Sequence, residues 1–347
     1  MDILKNKLYK EDIKNCALLP ISWEKLRNKS ILITGASGLI GSFFIDVLMH
    51  KDINCTIYAV GRSEEKAKQK FSDYWDNPYF YFVQADINQG LPLEVDSIDF
   101  VIHAASNTHP VAYANDPIGT VTTNVIGTYN LLEFAAQKKA ERVAFLSTVE
   151  VYGENRGDCE KFKEDYCGYI DCNTMRAGYP ESKRAGEALC QAYIKQKNLD
   201  IVIPRLPRTY GPTMQMSDSK AIAQFIKKGI AKEDVILKSE GTQYYSYCYV
   251  ADSVSAIFWC LLEGTCGEAY NIADENSDIL MKDLAKVIAD YAGTKVVFDI
   301  PDATESAGYS KATKAVLDST KLQKLGWKAM YSMKEGLERT MKILGDD

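Results

Sequence analysis

Residues 31–41 read Ile31-Leu32-Ile33-Thr34-Gly35-Ala36-Ser37-Gly38-Leu39-Ile40-Gly41. A short apolar run gives way to three glycines spaced G-x-x-G-x-x-G, and an amphipathic stretch follows. The pattern predicts a buried strand, a tight turn and a helix. Glycine is required where the backbone turns sharply, where it approaches a diphosphate closely, and where the helix packs on the strand. The amides exposed at the helix N-terminus then hold phosphate oxygens. Gly35, Ser37, Gly38, Leu39, Ile40 and Gly41 are therefore candidate dinucleotide-binding residues. The competing reading is a glycine-rich turn that binds nothing.

Outward from this turn, Thr56–Val60, Tyr79–Gln84, Phe100–His103, Val143–Ser147 and Ile201–Arg205 also read as buried strands. Each is separated from the next by enough chain for a helix or crossover, which implies parallel strands with helices on both faces. The expected fold is α/β, a doubly wound parallel sheet, with ligands beyond the carboxyl ends of the strands. After Arg205 the pattern changes. Pro207, Gly211 and Pro212 break the chain, and short helices and strands alternate irregularly to about Leu322. The expected division is residues 1–206 as a dinucleotide-binding domain and 207–347 as mainly a smaller α+β substrate lobe. Residues 1–30 read as a helical extension laid against the first lobe, and 246–263 as chain returning to it, with a helix over Val250–Leu262.

The chain has 347 residues, 46% hydrophobic and 25% charged, with a formal net charge of −6. Such length allows two lobes. The acidic balance argues against nucleic acid or an anionic membrane as partner, so any phosphate must be met by a local site. The first thirty residues carry Lys5, Lys7, Lys10, Lys14 and Lys25 and no signal-peptide core, so a cytoplasmic location is expected. No window approaches the ~20 apolar residues of a membrane span. Nine cysteines are scattered without a C-x-x-C pair, and Cys159, Cys167 and Cys172 have no histidine beside them. No metal site is expected.

At the end of the second strand stands Val60-Gly61-Arg62-Ser63, with no acid to bond ribose hydroxyls. An arginine there suits a 2′-phosphate and favours NADP. The cofactor is left open between NAD and NADP.

In these features the sequence resembles the short-chain dehydrogenase superfamily, in its extended branch acting on nucleotide sugars, the NAD-dependent epimerase/dehydratase family. Family habit favours NAD. The resemblance implies an adenine contact at Asp86-Ile87, a wall of small residues at Ala104-Ala105-Ser106, and a central helix around Asn124 with Gly127 and Asn130. Ser147 falls beside the cofactor. Tyr179-Pro-Glu-Ser-Lys183 matches the family's Y-x-x-x-K. Residues i and i+4 share a helix face, which would set the ammonium beneath the phenol. A free phenol titrates near ~10, and a shift of ~3 units toward phenolate needs about 4 kcal/mol from neighbouring positive charge. Thr148 falls where the family keeps the hydroxyl that shares the substrate proton with tyrosine. The implied step is removal of an alcohol proton by Tyr179 as the alcohol becomes a ketone.

Three stretches are similar to UDP-glucuronate decarboxylases in particular: 103–113, 148–153 and 176–184. They imply substrate contacts at His109 and Tyr113. The departures are specific. Val149 replaces a serine, and a dehydratase would place aspartate there. Tyr245 replaces an arginine that pairs with the diphosphate, Lys311 and Lys314 are the nearest substitutes for a later arginine, and Arg208 replaces a common asparagine. The expectation is an epimerase of a nucleotide-linked sugar or polyol, with Glu150 available for proton exchange beside the ketone. The alternatives are a decarboxylase, a 4,6-dehydratase-like lyase, an NAD(P)H-dependent keto-sugar reductase, and a cofactor-binding regulator without catalysis. Tyr244, Tyr245, Tyr247 and Tyr249 alternate as a strand does, with base stacking a further option. Helices near Pro117–Ala136 and Tyr179–Ile194, with Val121, Val125, Ala185, Ala188 and Leu189, resemble those that pair in the family's homodimers.

Overall fold

The computed structural model describes residues 3–108, 115–300 and 313–345. Helix α1 (Lys7–Ala17) precedes β1 (Ser30–Thr34), α2 (Leu39–Lys51), β2 (Thr56–Gly61), α3 (Glu64–Lys70), β3 (Phe80–Gln84) and β4 (Phe100–His103). Then come α4 (Pro117–Thr122), α5 (Thr128–Gln137), β5 (Arg142–Phe145), β6 (Ser147–Thr148), α6 (Gly178–Lys197) and β7 (Ile201–Leu206). These strands form a parallel sheet in the order β7-β5-β4-β1-β2-β3, with β6 paired to β7. The order runs one way from β1 through β2 to β3 and the other way through β4. The switch point therefore lies between the carboxyl ends of β1 and β4, where a doubly wound sheet opens a crevice.

Alternation along β1 divides the core between the two faces of the sheet. Ile31 and Ile33 pack with Phe43 and Phe44 of α2, whereas Leu32 packs with Leu131, Leu132 and Phe145.

Beyond β7 the chain forms β8 (Arg208–Tyr210), α7 (Ala221–Ile230), β9 (Val235–Leu237), β10 (Tyr244–Tyr249), α8 (Val250–Glu263) and β11 (Ala269–Asn271). It ends with β12 (Asp278–Leu280), α9 (Met281–Ala292), β13 (Val296–Phe298), β14 (Lys314–Ala315), α10 (Thr320–Lys324) and α11 (Met333–Gly345). A second sheet has the order β12-β10-β14 with β8 beside β10, and β9 pairs with β13. Helix α8 packs back on α2 and β7. Strand β11 also returns, extending the large sheet beyond β7. The sequence gives no sign of that return, because three residues are too few for a period.

Two further differences have local causes. Strand β3 starts at Phe80, one residue later than expected, because a turn at Asn77 takes the amides of Tyr79 and Phe80. The helix expected around Asn124 passes through a π turn, Thr123–Gly127, before α5 begins. Such bulges are concentrated at functional sites. Helix α1 is pinned by polar bonds: the Tyr9 hydroxyl donates to Asp46 of α2, and Tyr249 donates to Asp12 at 2.6 Å. Among the described residues no helix is long and apolar enough to cross a membrane.

Candidate active site

At the switch point β1 ends in buried Thr34, and Gly35 follows at φ +66°. A Cβ on Gly35 would lie 2.7 Å from the carbonyl carbon and oxygen of Ala104, so β1 and β4 close on each other only across glycine. A Cβ on Gly41 would lie 2.5 Å from the Gly35 oxygen, which packs α2 against the turn. Gly38 is the N-cap of α2 without a side-chain cap, and the first turn of α2 has no acid. The leading amides and the positive helix end are thus left for an anion. A cradle that any Cβ would fill, under a 13-residue helix, fits the pyrophosphate of a dinucleotide. Gly35, Ser37, Gly38, Leu39, Ile40 and Gly41 all belong to it.

The remaining cofactor candidates line the same edge. Arg62 is exposed just past β2, its carbonyl accepting from Gln84. Asp86 is exposed and caps the turn Ile87–Gln89 through the Asn88 amide, while Ile87 is buried. The Ala105 amide donates to Thr34 Oγ1, which also bonds His103 Nδ1 at 2.9 Å. His103 Nε2 meets Thr128 Oγ1 at 3.0 Å. Burial, then the Lys183 charge, holds that imidazole down at about 3, so it is a neutral strut. Ser106 donates to Asn124 Oδ1, Asn124 Nδ2 donates to Ser182, and the Ser182 hydroxyl donates to the Tyr179 carbonyl. Asn124, presented by the π turn, therefore fixes the start of α6 where Tyr179 sits.

Tyr179 and Lys183 are both buried on α6. Lys183 Nζ donates to the Leu146 carbonyl at 2.9 Å and lies over the Phe145 ring. Burial lowers its ammonium to about 8. The phenol differs from expectation. Burial first, then the Glu150 carboxylate, push Tyr179 above the ordinary phenol value, while a hydrogen bond with Thr148 and the charge of Arg176 pull less strongly the other way. The spacing alone draws attention to the lysine at i+4 and misses both the burial and Glu150. Glu150 is paired with Arg176 at 3.5 Å. Thr148 caps the turn Val149–Tyr152 through the Glu150 amide, so Thr148, Glu150 and Tyr179 come together at the end of the large sheet. Such a set can shuttle a proton to and from a hydroxyl.

Ser147 is tied to α6 by its side chain. Its hydroxyl donates to Glu187 at 2.5 Å. Glu187, one turn after Lys183, also holds Arg205 through two bonds, at 2.9 and 2.6 Å. Arg205 donates to the Tyr152 hydroxyl, which donates to Asn271. Sequence reasoning misses this network. The i+4 spacing of Lys183 and Glu187 is the one signal that points to it.

On the second sheet, Arg208 stacks on the Tyr245 ring at 3.4 Å. Tyr245, Tyr247 and Tyr249 are buried, and so are Ser246 and Cys248 on the alternate face, so β10 is covered on both faces. Lys314 pairs with Tyr244, whose side chain alternates away from Tyr245, so Lys314 and Arg208 lie on opposite faces of β10. Val149 is buried, with hydrocarbon alone to present. His109, Tyr113 and Lys311 lie outside the described residues. Among the described residues no cluster of three or more His, Cys, Asp or Glu side chains could hold a metal ion.

Comparison with known proteins adds a family. Residues 31–273 match the model of the NAD dependent epimerase/dehydratase family. UDP-glucuronic acid decarboxylase 5 of Arabidopsis thaliana is 32% identical over 311 residues, covering 89% of this chain and 87% of that protein. UDP-glucuronic acid decarboxylase 1 of Xenopus tropicalis is 30% identical over 316 residues, covering 90% and 71%. Among solved structures, UDP-glucuronic acid 4-epimerase of Bacillus cereus, in complex with UDP-glucuronic acid and NAD, has a TM-score of 0.76 at 23% identity, covering 91% of this chain and 98% of that one. The dTDP-glucose 4,6-dehydratase of Bacillus anthracis, in complex with NAD, has a TM-score of 0.75 at 22% identity, covering 91% and 96%.

Proposed function

Because the chain belongs to the NAD dependent epimerase/dehydratase family and is an enzyme of it, we propose that it oxidises an alcohol of a nucleotide-linked sugar or polyol transiently, and that the net reaction is an epimerisation. The observation that supports this most is the meeting of Thr148, Glu150 and Tyr179, with Lys183 buried one helical turn further along α6. The cofactor is NAD, after the family, held by the turn Gly35–Gly41, with Asp86, Ile87, Ala104, Ala105 and Ser106 along its edge. Asn124 acts by fixing the start of α6 where Tyr179 sits, and Ser147 bonds Glu187 one turn beyond Lys183. When bound, NAD supplies the two-electron acceptor and then the donor.

The protein's own groups manage protons. Thr148 orients the substrate hydroxyl and Tyr179 takes its proton. A phenol pushed upward by burial and Glu150 is a stronger base once ionised, and positive charge beside it lowers the cost of ionising. Lys183, near 8, keeps its charge at neutral pH. Glu150, on the same turn, exchanges a proton beside the ketone, or the ketone re-presents its other face. Residues 1–206, with the returning 246–263, hold the cofactor, and 207–347 mainly hold the substrate. Two copies associate through α4, the π turn, α5 and α6, a face on which Ile118, Val121, Ile126 and Tyr129 are exposed.

Decarboxylation is the second reading, favoured by the names of the relatives near 30% identity. Against it stands Val149, whose side chain offers a carboxylate no donor. Incubation with UDP-glucuronate separates the two. Release of carbon dioxide and UDP-pentose at ~1 per second or faster, an ordinary enzyme rate, overturns the epimerase reading. Interconversion of epimers with no carbon dioxide supports it.

A further inference from the structure

Arg208 opens β8 two residues beyond Leu206, and Leu206 is the register partner of Thr148. Two residues of chain span at most about 7 Å, so Arg208 stands next to the reacting end of the large sheet. Its register partner on β10 is Tyr247, which shares a face with Tyr245. That register lays the guanidinium over the Tyr245 ring at 3.4 Å.

The other partly buried arginines of the two lobes are satisfied. Arg142 bonds Asp200 and two carbonyls, Arg184 bonds the carbonyls of Val151 and Gly168, and Arg205 bonds Glu187 and Tyr152. Arg208 is different. Its Nη1 is shut off from solvent with no hydrogen-bond partner among the described residues, and none of their carboxylates is paired with it. An aromatic face attracts a cation but takes no hydrogen bond of the kind a guanidinium fork offers. Leaving such a donor unpaired costs free energy, and in a native structure each one calls for an explanation, a bound ion or ligand among them.

The ligand must be anionic and must match a planar fork of donors, which is the chemistry of a phosphate group. With a net charge of −6 the chain offers no general field to attract one. We infer that Arg208, carried on the Tyr245 ring, is the anchor for the diphosphate of the nucleotide substrate. This rests on the nucleotide-substrate reading above and adds the residue that grips the diphosphate. Tyr245 acts as the platform that holds the fork in plane, rather than as a base-stacking ring.

The test is calorimetric titration of the cofactor-loaded enzyme with UDP, CDP, GDP and TDP in parallel. Wild type is expected to bind at least one of them. Arg208→Gln should weaken that binding ten- to a hundredfold, and Arg208→Lys less. Tyr245→Phe, which keeps the ring, should bind more tightly than Tyr245→Leu, which loses it. Bound NAD and an unchanged melting temperature establish that each variant is folded. Should Arg208→Gln fail to fold, the contrast of Tyr245→Phe with Tyr245→Leu decides. Equal affinity of Arg208→Gln and wild type for the same diphosphate removes Arg208 as the anchor and leaves the substrate class standing. Equal affinity of the two Tyr245 variants removes the platform. If wild type binds none of the four, the inference and the nucleotide-substrate reading fall together.

Discussion

Replacing Lys183 by methionine should stabilise the fold at neutral pH while abolishing turnover. The ammonium is 3% exposed and is lowered to about 8 from 10.5, with burial as the largest cause. That difference of 2.5 units corresponds to about 3 kcal/mol, since one unit is about 1.4 kcal/mol. Below pH 8 the lysine is protonated in both states and its burial penalty is present in full. Between 8 and 10.5 the unfolded chain binds more protons than the folded one, so wild-type stability rises with pH. By pH 9.5 the gain reaches about 2 kcal/mol. Methionine has similar length and no charge to bury. It also leaves the Leu146 carbonyl without its donor, which costs about 1–3 kcal/mol and offsets much of the gain at pH 7. The sharper quantity is the difference between variant and wild type, in which every other titrating group cancels. In urea unfolding of cofactor-free protein, that difference should shift toward wild type by about 2 kcal/mol between pH 7 and pH 9.5. A difference that stays constant within roughly 0.5 kcal/mol over that range would refute the reasoning.

Tyr179→Phe should retain fold and NAD binding and lose turnover by roughly a hundred- to ten-thousandfold, the worth of a positioned acid–base. Turnover within a factor of ten of wild type would remove Tyr179 from the chemistry. Arg62→Ala should leave the dissociation constant for NAD unchanged, because Arg62 is exposed and lies where only a 2′-phosphate would need it. A loss of NAD affinity by isothermal titration would count against that placement. Light scattering at micromolar concentration should give a dimer mass, and Ile118→Glu together with Ile126→Glu should give a monomer, since these side chains are 77% and 45% exposed. A wild-type monomer would leave that apolar strip unexplained.

The parts of the site that are legible in sequence are those in which a residue type answers a backbone demand. Gly35 and Gly41 can be placed because no other residue fits within 3 Å of a neighbouring backbone. Tyr179 and Lys183 can be placed because a helix fixes what four residues mean. Interactions that join distant residues are not legible. Glu187 and Arg205 are 18 positions apart, and Tyr152 and Asn271 are 119 apart, so no local pattern announces either bond. The upward shift of Tyr179 is hidden for the same reason. Its largest cause is burial, a property of the assembled sheet and helix. The stack of Arg208 on Tyr245 is half visible: both substitutions stand in the sequence, but only the register of β8 on β10 brings them into contact.

In the proposed reaction, the placement of these groups separates the oxidising step from the fate of the ketone. Tyr179 and Lys183 are fixed by bonds made through α6: Asn124 to Ser182, Ser182 to the Tyr179 carbonyl, and Lys183 to the Leu146 carbonyl. Val149 and Glu150 belong instead to the short turn Val149–Tyr152. That turn is held mainly by contacts to its backbone, with Thr148 accepting from the Glu150 amide and Arg184 donating to the Val151 carbonyl. Because these bonds read no side chain at 149, a substitution there alters what meets the ketone and leaves in place the bonds that hold the phenol. A substitution at 150 also removes the carboxylate that pushes Tyr179 up and its pairing with Arg176. Arg208 and Tyr245, on β8 and β10, are equally independent of α6. In the proposed reaction the oxidation is therefore common property of the large sheet, and the identity of the product is decided by a few side chains on the turn and the second sheet. In the proposed epimerisation, a valine at 149, with no donor and no acid, is what leaves the ketone to proton exchange at Glu150 rather than to loss of carbon dioxide or water.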